Sequence, residues 1–402
     1  MGHRIFVLVH RWSGIIAAAL VVVCGLTGSV LVLRDDVDRW LNADILEVTP
    51  RETRLGVDEL VARVEARYPK AVVSRVTPSS DPARAWTLTL ANRGAAASEG
   101  PGARLRHSPS MVHVDPYTGS ITGTRTRGEA TFDRRGFVPL VHGIHHDLLL
   151  GRAGHWAVAA VGAIWLALSL VGIYLSLKQA GALRAAFRVR ADVGIKRLFL
   201  DLHRSVGMAS VVVIAVLCVS GIYLGLRQPV TSVVDFFSPV TPAPERALPD
   251  DPVAAPATGF ANALEAAQAA LPGSQAHSIS AIREKGVYRV RMAAPGDANA
   301  RGDRFVYVSM RDAGIVGLRD VTRGSAGDVY IGWQFPLHTG EAFGAPGRTA
   351  IFIAGLLPAL FSVTGVYLWL ANRRPRRRSF STTQKSQRPS GSQRSAVSRS
   401  SP

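Results

Sequence analysis

Four stretches of this 402-residue chain, residues 12–33, 155–177, 205–226 and 349–371, contain no Asp, Glu, Lys or Arg over more than twenty residues each. At 1.5 Å per helical residue, each can cover the ~30 Å hydrocarbon core of a bilayer. Backbone groups in that core must be satisfied within the segment, so four spanning helices are expected. The first stretch exceeds the ~7 to 15 residue apolar core of a cleaved signal peptide, and no A-x-A site follows it. It is expected to remain as an anchor.

Basic residues orient the spans. Between the second and third lie Lys178, Arg184, Arg188, Arg190, Lys196, Arg197 and Arg204 against Asp192 and Asp201, which marks this loop as cytoplasmic. Residues 373–402 add nine Lys or Arg and no acid, half of the formal +18. Both termini are then inside, and residues 34–140 and 227–337 outside. The charge thus reflects topology and does not point to nucleic acid. The tail, 372–402, is rich in Ser, Arg and Gln and is expected to be disordered. Cys24 and Cys218 fall mid-span as small packing residues, and without C-x-x-C-H no covalent haem attachment is expected.

A shift of 193 residues superimposes the membrane parts without a gap. His10-Arg11 falls on His203-Arg204, Gly14 on Gly207, Gly28 on Gly221, His145 on His338, Gly151 on Gly344, Gly172 on Gly365 and Tyr174 on Tyr367. Outside, an amphipathic helical pattern at 57–69 recurs at 261–272, each followed by alternating strand patterns, and the strand-turn-strand of 112–123 recurs at 306–317. The expected fold is a membrane all-α four-helix bundle of two tandem two-helix repeats carrying two external α+β modules. Its segments are helix 1 (1–33), module 1 (34–140), helix 2 (141–177), the basic loop and start of helix 3 (178–204), helix 3 (205–226), module 2 (227–337), helix 4 (338–371) and the tail. The repeats share one orientation, so their axis lies along the membrane normal.

Four histidines survive the shift: His10 and His203 at the cytoplasmic helix ends, His145 and His338 at the external ends. Paired imidazoles on facing helices suit six-coordinate haem iron, and ionisable residues at membrane depth usually face the bundle interior. Arg11 and Arg204 are placed to meet haem propionates, although basic residues are equally expected there from topology. Gly14 with Gly207 and Gly28 with Gly221 would admit a flat macrocycle or a neighbouring helix. The plainer alternative is that each histidine is an interfacial polar cap. His142, His145 and His146 share one helical face and offer a zinc or iron site, but His142 and His146 fall on Phe335 and Thr339 in the other half. His113, His155 and His277 also lack histidine counterparts and read as surface or structural.

The order HRWSG, a helix-plus-strand module, IHHDLLLG, LHRSVG, a second module and PLHTGEAFG resembles the PepSY-associated transmembrane family over residues 1 to about 372. The resemblance implies PepSY-like external modules, a bacterial inner-membrane location, and kinship with ferric-siderophore reductases that hold two b-type haems. It further implies that His10, His203, His145 and His338 are the axial ligands. The expected function is a transmembrane electron conduit reducing a ferric siderophore or other ferric chelate in the periplasm. Trp333, Phe335 and Phe132 are candidate aromatic contacts for that acceptor. No G-x-G-x-x-G follows a strand, so the donor is expected to be quinol or a separate cytoplasmic reductase. Two rival readings are a PepSY-based inhibitor of periplasmic proteases, which would not need paired histidines, and an iron-chelate transporter, which would need polar spans.

Overall fold

The computed structural model describes residues 2–93, 110–126, 131–253 and 255–373; the tail beyond Arg373 lies outside the described residues. Helix α1 (Gly2–Val32) leads through α2 (Arg34–Leu41) and the single turn α3 (Ala43–Leu46) to α4 (Val57–Arg67) and strands β1 (Ala71–Thr77), β2 (Trp86–Asn92), β3 (Met111–Val114) and β4 (Ile121–Arg125). Helices α5 (Phe137–Asp147), α6 (Arg152–Ala180) and α7 (Leu183–Ala186) follow. The order then recurs as α8 (Ile195–Gly225), α9 (Arg227–Phe237), α10 (Phe260–Ala270), β5 (Gln275–Ile282), β6 (Val287–Ala293), β7 (Arg304–Ser309), β8 (Ile315–Asp320), α11 (Ala326–Thr339) and α12 (Gly344–Arg373). α8 starts and ends 193 residues after α1.

Helices α1, α6, α8 and α12 are long and apolar enough to cross a membrane. They leave Ile16 78%, Val212 71% and Val363 61% exposed, an outward apolar surface suited to lipid. α1 packs against α6 and α12, and α8 packs against the same two. Small residues set the α1–α12 crossing: a Cβ at Gly25 would lie 2.5 Å from the Gly355 carbonyl oxygen, and Ser29 Oγ donates to Phe352 O at 2.8 Å. Cys24 and Cys218 carry free thiols, and Cys218 is buried, as a packing residue would be.

The expected spans 141–177 and 338–371 are each broken. α5 ends at Asp147 before α6 begins at Arg152, and α11 ends at Thr339 before α12 begins at Gly344. The chain turns through left-handed backbone at Leu148 (φ 52°), Leu149 (φ 60°) and Gly151 (φ 57°), and at Gly340 (φ 79°) and Gly344 (φ 59°). In the first half an uninterrupted LLL run hides the turn, because left-handed leucine carries no compositional signal. His145 and His338 therefore stand on short helices of their own. The third span begins at Ile195, inside the 178–204 segment expected to hold its start.

The two external modules are not separate. Their strands form one eight-stranded antiparallel sheet in the order β4-β3-β2-β1-β5-β6-β7-β8, joined where Arg75 faces Ser280 and Val76 faces Ile279. Unpaired, β1 and β5 would both be open edges, and their pairing covers both. Alternating hydrophobicity marks strands but not which edges meet. A single apolar core spans both halves, with Leu60 and Val64 of α4 and Phe260 and Ala263 of α10 packed on one sheet face. Asp58 of α4 caps α10 in trans, accepting from the Phe260 N–H at 2.7 Å and the Ala261 N–H at 3.2 Å. The Asp115 carboxylate builds the β3–β4 turn by accepting from Tyr117 N at 2.8 Å, and at the matching β7–β8 turn Ser309 Oγ accepts from Arg311 N at 3.2 Å.

His113 is buried in the sheet beside Thr87 Oγ1, 3.2 Å away, and its Nε2 has no partner among the described residues. Burial, reinforced by the Arg125 guanidinium, pushes its pKa down to about 4. The unfolded chain therefore takes up a proton from pH 6.5 downward that the folded sheet refuses. Stability of up to about 3 kcal/mol is lost as the pH falls from 6.5 towards 4. His113→Leu is expected to flatten that part of a melting-temperature versus pH profile, and an unchanged slope would show that the ring is not the source.

Candidate functional site

The four shift-related histidines form two pairs inside the bundle. His145 and His338 stand with ring centres 6.1 Å apart and planes at 49°; His10 and His203 stand 6.2 Å apart at 83°. Two imidazoles binding one metal from opposite sides, at roughly 2 Å per metal–nitrogen bond, place their ring centres about 6 Å apart. Both pairs have that spacing.

Each ring edge sits over a glycine of a neighbouring helix. Cβ atoms at Gly28, Gly221, Gly172 and Gly365 would lie 3.0, 3.2, 3.5 and 3.7 Å from Cε1 of His145, His338, His10 and His203 respectively. Gly28 and Gly221 thus admit histidine rings. Gly14 and Gly207 line a cavity instead: a Cβ at Gly14 would meet nothing within 4 Å, and one at Gly207 only Phe361 Cε1 at 3.9 Å.

Hydrogen-bond partners assign the tautomers. A carbonyl can only accept, so His145 Nδ1, 2.9 Å from Cys24 O, carries the proton and leaves Nε2 a bare lone pair. Thr27 Oγ1 lies 3.2 Å from the same Nδ1 and gives its own hydrogen to Val23 O. Ser220 Oγ, 193 residues on, donates to Val216 O at 2.6 Å and so accepts from His338 Nδ1 at 2.9 Å. Thr364 Oγ1 donates to Leu360 O at 2.7 Å and accepts from His203 Nδ1 at 2.8 Å. Three of the four histidines therefore hold Nδ1–H in the bundle and keep Nε2 for a ligand, the orientation that metal-bound histidines use. His10 is the exception. Its buried Nδ1 has no partner among the described residues, and the position matching Thr364 is Val171.

His10 and His203 line a cavity of about 710 Å³ together with Gly14, Gly207, Trp165 and Phe361, within the size range of cofactor pockets. Arg11 and Arg204 also line it. Arg11 is exposed and has no ion pair among the described residues. Arg204 is 6% exposed and already engaged, by Asp201 Oδ1 at 2.9 Å, Ala186 O at 3.1 Å and Arg188 O at 3.0 Å. Asp201, fully buried, also meets Arg190 at 3.1 Å and Arg197 at 3.0 Å, tying the basic loop to the start of α8. In the sequence Asp201 reads only as a loop counter-charge, and nothing there signals this role.

On the sheet side, Arg301 lies over the Phe335 ring at 4.6 Å and Arg291 over Phe305 at 5.5 Å. Burial and these arginines, with Arg75 and Arg34, push the His277 pKa down to about 4, and burial among the same cations lowers Arg301 to about 10. Trp333 is 40% exposed and Phe132 94% exposed. His142 stacks on His146 at 5.1 Å, and His155, expected to be surface or structural, reaches His146 from the first turn of α6.

The chain matches the family described as "PepSY-associated TM region" over residues 7–372. No curated protein matches it.

Proposed function

The chain belongs to the PepSY-associated transmembrane family, and from that premise we propose that it is a di-haem b-type electron conduit of the bacterial inner membrane, reducing a ferric siderophore or similar ferric chelate in the periplasm. Supporting this is the twice-repeated pair of imidazoles about 6 Å apart, three of whose four Nδ1 protons are held by a helix carbonyl or hydroxyl. Two b-type haems held by these pairs, one towards each end of the bundle, would supply one-electron chemistry across the bilayer.

The chain's own residues orient and enclose. Thr364, Ser220 and the Cys24 carbonyl fix three ring tautomers. Gly14 and Gly207 clear space for a flat ring in the inner cavity, and Arg11 offers a propionate partner there. Equal offsets of 193 between α1 and α8 and between Thr27 and Ser220 support two halves that are tandem copies. The positive charge of the basic loop and tail supports cytoplasmic termini and a periplasmic sheet. Quinol or a cytoplasmic reductase is the donor. Acceptor docking uses Phe335 and Trp333, and the half-buried guanidinium groups of Arg301 and of Arg291, the latter shared with Asp303, favour an anionic chelate.

In stopped-flow work, dithionite-reduced protein is expected to be reoxidised by ferric siderophores in a concentration-dependent way. Gallium-loaded chelates, which accept no electron, should compete without oxidising it. Haem that stays reduced with every ferric chelate yet reoxidises with quinone would remove the ferric-reductase assignment and leave the conduit.

A further inference from the structure

We propose that His146, Asp147 and His155 form a binding site for a divalent first-row metal ion, separate from the His145–His338 pair. Their ligand atoms all lie within 4.8 Å of one another. His155 Nε2 is 3.1 Å from His146 Nδ1 and 3.9 Å from Asp147 Oδ2, so one nitrogen faces both other donors. With bonds of ~2.1 Å, a tetrahedral metal spaces its ligands about 3.4 Å apart, which falls between those two distances.

The local backbone is bent to make this contact. Leu148 and Leu149 both adopt left-handed φ, at a cost of roughly 1–2 kcal/mol each, and fold the first turn of α6 back on the end of α5. Asp147 divides its carboxylate: Oδ1 accepts from the Leu149 N–H at 2.9 Å and builds the turn, while Oδ2 faces His155. The other half makes the corresponding turn between α11 and α12 with Thr339, Gly340 and Arg348 at the matching positions. The fold therefore does not demand the donor set, and its presence in one half calls for another cause.

Two imidazoles and one carboxylate suit zinc, iron(II) or cobalt(II) better than calcium or magnesium, and three protein ligands leave a position open to water. Without metal, the two nitrogens share a proton as an ordinary hydrogen bond. Metal binding needs a lone pair on both nitrogens, so the shared proton moves to the other nitrogen of its own ring, and the site competes with the His146–His155 hydrogen bond.

The full chain in detergent, stripped with a chelator and dialysed against zinc, should retain one zinc at this site by elemental analysis. His146→Gln should weaken retention by more than the ~10–100-fold that outer-shell changes cost, and so should Asp147→Asn, which keeps the oxygen that builds the turn. His277→Gln should leave it unchanged. Zinc affinity within twofold of wild type in both variants, or no zinc at one equivalent, would reduce the cluster to a hydrogen-bonded pair. Haem is counted in the same samples from the optical spectrum, so loss of the haem reading and loss of the metal site register separately.

Discussion

His203→Ala and His338→Ala are each expected to remove one haem of two, halving the reduced-minus-oxidised optical amplitude, and the double variant to remove it all. An alanine leaves the opposing imidazole without its partner ring, and a haem held by that pair, with no cysteine tether, would have one histidine in place of two to retain it. The residues behind the ligands should give graded effects of the same kind. Thr364→Val deprives His203 Nδ1 of its acceptor, as Ser220→Ala does for His338, and each should weaken haem retention by roughly 10–100-fold. Val171→Thr should act in the opposite direction, supplying His10 with the hydroxyl that His203 already has. His113→Ala and His277→Ala should leave the spectrum alone, since both rings belong to the sheet. Equal spectral loss from these two controls would contradict the assignment of the four ligands.

Asp201→Ala is expected to be the most destabilising single change around the basic loop and the start of α8, by about 3–5 kcal/mol. Its carboxylate is fully buried and is the counter-charge of Arg204, itself 6% exposed, and it also holds Arg190 and Arg197. Removing it leaves a buried guanidinium without a counter-charge, and the carbonyls of Ala186 and Arg188 that it still bonds cannot neutralise it. Arg190→Ala is the control. Its side chain is about a third exposed, and solvent screening limits its loss to at most ~1 kcal/mol. Thermal melts in detergent should therefore separate the two variants clearly. Equal melting temperatures would show that the knot is a surface network of little consequence.

How far the sequence discloses this arrangement depends on the signal. Uncharged runs of over twenty residues are nearly unambiguous, so the four spans are legible, and a gap-free shift picks the four histidines out of eleven. The turn before α6 is not legible, since Leu148 and Leu149 look like any buried run, whereas the turn before α12 carries Gly340 and Gly344, a signal missed in expecting one span over 338–371. The joining of β1 to β5 escapes because strand patterning does not encode edge partners over some two hundred residues. Thr27 and Ser220 lie in register under the same shift, yet a hydroxyl in a spanning helix usually bonds its own i−4 carbonyl, as both do here. Only the packing shows that their remaining lone pairs face imidazoles. His155 looks solitary because the left-handed turn that brings it to His146 is itself invisible.

The central claim is that the paired imidazoles hold haem, and its most direct test is a reduced-minus-oxidised optical spectrum of the detergent-purified full chain from a haem-sufficient host. The expected result is a b-type spectrum from about two haems per chain, lost to acid acetone because no cysteine tethers them. A colourless, folded protein would contradict the claim.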